Sequence, residues 1–91
     1  MKFRPWNEEI ATEYSQKIYQ EFYDASSNFP AFASDHEGYA IILEEMDELW
    51  EAVKLNQKDP ERDKKMEKDV TQVGAMALRF LHDLRLRREG C

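Results

Sequence analysis

One stretch, residues 36–53 with the sequence HEGYAIILEEMDELWEAV, restricts the fold more than any other because it carries two helical patterns at once. Ile42, Met46, Leu49, Trp50 and Val53 recur at spacings of three and four, which puts them on one face of an α-helix and marks that face for a core. Trp50 is expected at its centre. On the other side Glu44, Glu45, Glu48 and Glu51 form an acidic stripe, and Glu45 and Glu48 stand one turn apart with carboxylates able to converge on one cation. Most charged stripes are solvated faces. Here Ala40, Ile41, Ala52 and Leu55 are interleaved with the glutamates, and a solvated face has no use for them. The helix is therefore expected to be covered on both sides, with the carboxylates lining a partly enclosed site.

The rest of the chain extends the helical pattern. There are only three glycines and three prolines in the chain, so the expected fold is all-α with three main helices at 7–28, 35–56 and 60–87. Asn7 is placed to cap the first, with Glu8 and Glu9 in the turn where the helix dipole favours negative charge. Ile10, Tyr14, Ile18 and Phe22 form its core stripe, and Tyr19, Tyr23 and Trp6 add aromatic surface that serves either packing or a flat ligand. Pro30 sets a loop in which Phe29 and Phe32 either tuck under the helices or reach a ligand. Ser34 and Glu37 make a capping box for the second helix, leaving His36 in its first turn as a polar surface residue or a substrate contact.

Asp59 and Pro60 mark the third start, and the short connector before them makes helices two and three an antiparallel hairpin. Met66, Val70, Val73, Ala77, Phe80, Leu81 and Leu84 read as the core face of the third helix, with Gly74 at the close approach of another helix. Beside it runs a mixed stripe of Lys65, Asp69, Gln72, Met76, Arg79 and Asp83. That stripe is either the ion-paired boundary of an amphipathic helix or a polar wall opposite the glutamates.

A chain of 91 residues makes one domain, 1–91, that buries a smaller fraction of its surface than a larger protein does, so a bundle completed by oligomerisation is expected. With 13 basic against 19 acidic residues the net charge is -6, which argues against a nucleic-acid duplex or an anionic membrane as partner and suits metal cations. The lone cysteine, Cys91, has no intrachain disulfide partner and fits a reducing cytoplasm. No apolar run approaches the roughly 20 residues of a membrane span, and the first residues lack the apolar stretch of a signal peptide. Cytoplasmic localisation is the expectation.

EEMDELWEAV in the second helix, followed in the third by DVTQVGAMALRFL, resembles the all-α nucleoside triphosphate pyrophosphohydrolases of the MazG-like superfamily over residues 35–84. In that family a helix carrying ExxE, usually written EExxEL, faces a helix carrying ExxD, and the four acidic residues bind magnesium. The first half matches as Glu44, Glu45, Met46, Asp47, Glu48 and Leu49. In the second half one register puts Asp69 and Gln72 at the Glu and Asp positions, and a register shifted by three puts Met66 and Asp69 there. Either way one carboxylate is missing, and Gln72 offers a carbonyl oxygen without the charge.

The resemblance implies Mg2+, with Mn2+ as the alternative ion, held by Glu45, Glu48, Asp69 and Gln72. Glu44 serves as ligand or base, and Glu44 and Glu48 are the catalytic candidates. Lys65 and Arg79 are candidates to meet phosphate oxygens, with ion pairing to nearby acids as the alternative for Lys65; His36 and Phe32 complete the substrate set. The implied reaction is (d)NTP plus water to (d)NMP plus pyrophosphate, a deoxynucleotide being favoured, in a homodimer or homotetramer engaged in nucleotide-pool house-cleaning. The competing class is a non-catalytic helical interaction module. An acidic DNA-mimicking inhibitor is a third, resting only on the charge.

Overall fold

A computed structural model of the chain describes residues 5–90, and the expectations tied to Cys91 and to the first four residues lie outside the described residues. Among those described there are three helices and no strand: α1 over Glu8–Asn28, α2 over Asp35–Val53 and α3 over Arg62–Arg88. Two of the three starts follow the expected chemistry. Asn7 Oδ1 accepts from the Ile10 amide at 3.0 Å. Ser34 Oγ accepts from the Glu37 amide at 3.1 Å while the Glu37 carboxylate turns back to the Ala33 amide at 3.0 Å, so free donors at the start of α2 are satisfied.

The third start differs from expectation. Asp59 Oδ1 takes the Glu61 amide at 2.9 Å in a turn of its own, and α3 begins at Arg62 without a side-chain cap. α2 ends at Val53 rather than near 56, and its last carbonyl accepts from the Arg62 guanidinium at 3.1 Å.

α3 is the element on which the others are built. α1 and α2 each pack on it and not on one another. α1 enters at the notch of Gly74, where an added Cβ would lie 2.9 Å from Ile18 Cδ1, so the close approach expected there is that of α1. A bridge from Lys17 to Glu67 at 3.3 Å reinforces the contact. α2 enters at Gly38, whose Cβ would lie 2.6 Å from the Phe80 ring, and an ion pair of Arg87 with Asp35 at 2.5 Å closes that end.

The core is small and sits where residues 29–34 cross α3. Phe32, Ala75 and Met76 are buried, with Phe22, Ala25, Ile41, Ile42 and Phe80 packed around them. Burying a phenylalanine side chain such as that of Phe32 contributes about 1.5–3 kcal/mol. α3 also holds the loop backbone. Asp83, itself buried, accepts from the Phe32 amide at 3.0 Å and meets His82 Nδ1 with its other oxygen at 2.9 Å. Arg79, also buried, donates to the Pro30 carbonyl and lies 4.4 Å from the centroid of the Phe32 ring.

These requirements rotate the packing faces away from the expected ones. On α2 Gly38 and Ala52 are buried and Ile41, Ile42, Glu45 and Leu49 half-buried, whereas Met46 and Trp50, expected in the core, are exposed, Trp50 by 58%. On α3 the buried residues are Ala75, Met76, Arg79 and Asp83, so the mixed stripe read as either an ion-paired boundary or a polar wall supplies three of the four, while Val70, Ala77 and Leu81 of the expected core face are exposed. Arg79 and Asp83 must be inside to satisfy the loop, and they carry their stripe with them. α1 buries no residue fully, and Ile10 of its expected core stripe is exposed.

The outcome is a thin layer. The radius of gyration is 15.6 Å and the extents are 48 × 35 × 20 Å. A compact chain of this length would have a radius of gyration of about 12 Å. Tyr39, Leu43, Met46 and Trp50 stand exposed along one line of α2, at steps of four, three and four. No helix among the described residues is long and apolar enough to cross a membrane.

Candidate functional site

The rotation of α2 is what builds the site. Ile41, Glu45, Glu48 and Ala52 follow one another at helical spacing, and because Ile41 and Ala52 pack inward, Glu45 is drawn to the α3 side and half-buried. Its proton affinity is raised above that of an ordinary carboxylate. Loss of water is the first cause, followed by the charge and hydrogen bond of Glu48, then Asp69 of α3, then Glu44. Three carboxylates, those of Glu48 and Glu44 on α2 and of Asp69 on α3, thus bear on that of Glu45. A like-charged group of this kind is relieved by a proton or by a cation.

Of the expected trio, Glu48 and Asp69 thus lie near enough to act on the charge of Glu45. The donors of the trio are all hard oxygens, which suits magnesium, an ion that takes one or two carboxylates and keeps several waters. Among the described residues, however, no group of three or more acidic, histidine or cysteine side chains is placed so that it could hold a metal ion.

Two hollows flank the carboxylates. Toward the α2/α3 connector lies one of about 410 Å³ bordered by Glu48, Glu51, Asp69, Lys65 and Lys68 over a floor of Ala52 and Leu55. Toward the loop lies a cleft of about 430 Å³ bordered by Glu44, Glu45, Gln72 and Arg79 on its polar side and by Phe29, Pro30, Phe32, Ile41 and Met76 on its apolar side. Both are within the range of small-molecule sites. The expected residues divide between them, Lys65 with Glu48 and Asp69 in one and Phe32, Arg79 and Gln72 with Glu44 and Glu45 in the other. His36 is exposed and borders neither.

Arg79 and Phe32 reach the cleft while already engaged in holding the loop, so they act there as wall. Phe29, the other aromatic residue bordering the cleft, is 64% exposed. Two residues escape the sequence reading. Lys68 joins Lys65 at the connector hollow, and its place three residues further along the same helix face is the signal that could have found it. Glu21 of α1 accepts from Gln72 Nε2 at 2.7 Å across 51 residues of sequence, a pairing with no local signal.

No family model, curated protein or solved structure matches this chain. The functional reading stands on the site itself.

Proposed function

We propose that the chain is a magnesium-dependent nucleoside triphosphate pyrophosphohydrolase of the MazG-like kind, converting (d)NTP and water to (d)NMP and pyrophosphate, with deoxynucleotides favoured. The observation that supports this reading is the half-buried Glu45 carboxyl, raised in proton affinity by burial and by the charges of Glu48, Asp69 and Glu44. Glu45, Glu48, Asp69 and the carbonyl oxygen of Gln72 are the groups that would hold the ion. Magnesium, or manganese in its place, supplies charge neutralisation on the triphosphate and a template for the attacking water. Glu44, at the exposed rim, or Glu48 takes the proton from that water as the bond between the α- and β-phosphates breaks.

Lys65 and Lys68 offer ammonium groups to the phosphate oxygens at the connector end. The nucleoside then lies toward the loop, with the Phe29 ring as its platform. In this reading the α2/α3 antiparallel hairpin is half of a bundle that a second copy completes over the exposed apolar faces, giving a homodimer or homotetramer that cleans the cytoplasmic nucleotide pool. The exposed line of Tyr39, Leu43, Met46 and Trp50 supports the assembly, since a water-soluble helix face rarely gathers four large apolar side chains without a partner.

The second reading is a non-catalytic helical interaction module, favoured by the amide at Gln72 and by that same apolar line. Pyrophosphate release across a panel of dNTPs with and without magnesium separates the two. Magnesium-dependent turnover of any member supports the enzyme; no release from any of them, by a folded chain, leaves the module.

A further inference from the structure

Two apolar strips stay exposed on the α2/α3 pair. On α2 the strip is the line from Tyr39 to Trp50, and on α3 it is Val70, Ala77 and Leu81. Both advance by the same number of residues, so each is about 16 Å long at about 1.5 Å per residue. By helical register the first lies across α2 from Glu44 and Glu48, and the second across α3 from Gln72 and Arg79. Both strips therefore occupy the face of the layer turned away from the two hollows. We infer that α2 of one copy seats its apolar line on the α3 strip of a second copy, which returns the same contact, so that the chain pairs α2 with α3 and not α2 with α2.

This rests on the self-assembly proposed above. Two identical layers stacked face to face about a two-fold axis have two simple arrangements. An axis across the helices lays each helix on its own counterpart, whereas an axis along them lays α2 on α3 twice. Charge separates the two. α2 carries seven acidic residues and no lysine or arginine, and Lys54 just beyond it is already paired with Glu51. α3 carries eight lysines and arginines against four acidic residues. Packed helices lie about 8–10 Å apart, within the Debye length of about 10 Å at 0.1 M salt, so α2 on α2 meets like charge and α2 on α3 meets the opposite sign at both contacts. Bulk agrees with charge, since Tyr39, Leu43, Met46 and Trp50 make a high ridge and Val70 and Ala77 a low seat. A large side chain offers on the order of 200 Å², so the six large ones of the two strips, each about half exposed, supply about 600 Å² per copy, against roughly 800 Å² per partner in a stable interface.

The Phe80 ring beside Gly38 and the pair of Arg87 with Asp35 fix how far along α3 each turn of α2 lies. With the axis along the helices the same levels meet between copies, Tyr39 over Leu81, Leu43 over Ala77 and Trp50 over Val70 of the second copy. The test places single cysteines in a Cys91→Ser background: Leu43→Cys and Ala77→Cys as one pair, Tyr39→Cys and Leu81→Cys as another. Each variant is oxidised alone and in the mixture of its pair, with circular dichroism as the check on folding. A disulfide-linked dimer is expected in both mixtures and in no single preparation, because the bridge needs Cα atoms within about 7 Å. Sedimentation of the wild type should show association that weakens from low to high sodium chloride, as attraction between opposite charges is screened.

Self-linking of Leu43→Cys or Tyr39→Cys, a self-associating chain in which neither mixture links, or association that strengthens with salt overturns the inference while leaving the assembly standing. A wild type that sediments as a monomer at every concentration removes the assembly reading itself. If one cysteine variant loses its helical signal, the other pair and the salt dependence of the unaltered chain decide in the same way.

Discussion

Charge is withdrawn from water at two places along α3, and the two are treated in opposite ways. At the loop end Arg79 and Asp83 are 6% and 4% exposed, and each meets a group of the right kind, a carbonyl and a ring face for the cation, an amide and an imidazole for the anion. Nearer the connector Glu45 meets Glu48, Asp69 and Glu44, all of its own sign. Buried charge with hydrogen-bond partners organises a fold, while buried charge among like charges is tolerated at the expense of stability and is characteristic of places that bind or react. The contrast sets a structural end of α3 against the end where the proposed site lies.

The largest expected effect tests the structural end. Asp83→Ala leaves the Phe32 amide without its acceptor and should destabilise the chain by about 3 kcal/mol in urea unfolding, the range for losing hydrogen bonds to a buried charged group. A cost under about 1 kcal/mol would mean that the loop is anchored by packing alone, and the contrast would lose its first half.

A smaller effect of opposite sign tests the other end. Glu45→Gln removes the charge at constant shape and should stabilise the cation-free chain by up to about 1 kcal/mol, after discounting for the solvent that still reaches it, while weakening Mg2+ binding. The pH dependence follows from the sign of the shift. A carboxyl whose proton affinity is raised by folding binds its proton more tightly in the folded chain, so that contribution is full below the ordinary carboxylate value and is lost as pH rises through the raised one. The melting temperature of the variant minus that of the wild type should therefore grow with pH from the ordinary carboxylate range upward. A difference flat with pH would show that Glu45 is not strained.

The smallest effect concerns a residue outside both regions. Trp50→Ala should change the stability of the monomeric chain by no more than about 0.5 kcal/mol, the usual scale for a surface position, against about 3–5 kcal/mol for a buried tryptophan. Sedimentation of the same variant should show weakened self-association. A loss of several kcal/mol at a concentration where the chain is monomeric would restore Trp50 to the core and undo the rotation of α2 on which the carboxylate site depends.

Local chemistry was legible in the sequence and face assignment was not. The caps at Asn7 and Ser34, the helix-breaking loop at Pro30 and the notch at Gly74 depend on residues a few positions apart, and the structure has them as read. The convergence of Glu45 and Glu48 was equally legible, being one turn of helix. The core faces of α2 and α3 were misassigned because both helices are apolar on two sides, and amphipathic patterning ranks sides by hydrophobicity without knowing that Arg79 and Asp83 must lie inside to hold residues 29–34. Gly38, whose missing side chain lets Phe80 approach, gave no warning of its role in a helix with plenty of larger residues to pack. The Glu21 contact depends on α1 reaching α3 rather than α2, which no periodicity records.

That arrangement, in which α3 is the sole neighbour of both other helices, sets an order of assembly. α2 meets α3 across the short connector of residues 54–61, whereas α1 contacts α3 through Lys17 with Glu67 and Glu21 with Gln72, at sequence separations of 50 and 51. Closing the longer loop costs more chain entropy, and an isolated amphipathic helix of this length is marginal in water. α1 is therefore expected to wander as a partly formed helix until the α2/α3 pair exists, then dock last, and pulsed hydrogen exchange during refolding should protect α2 and α3 amides before those of α1. Chains crowded together at that moment can exchange α1 arms, each docking on the α3 of another copy through the same contacts.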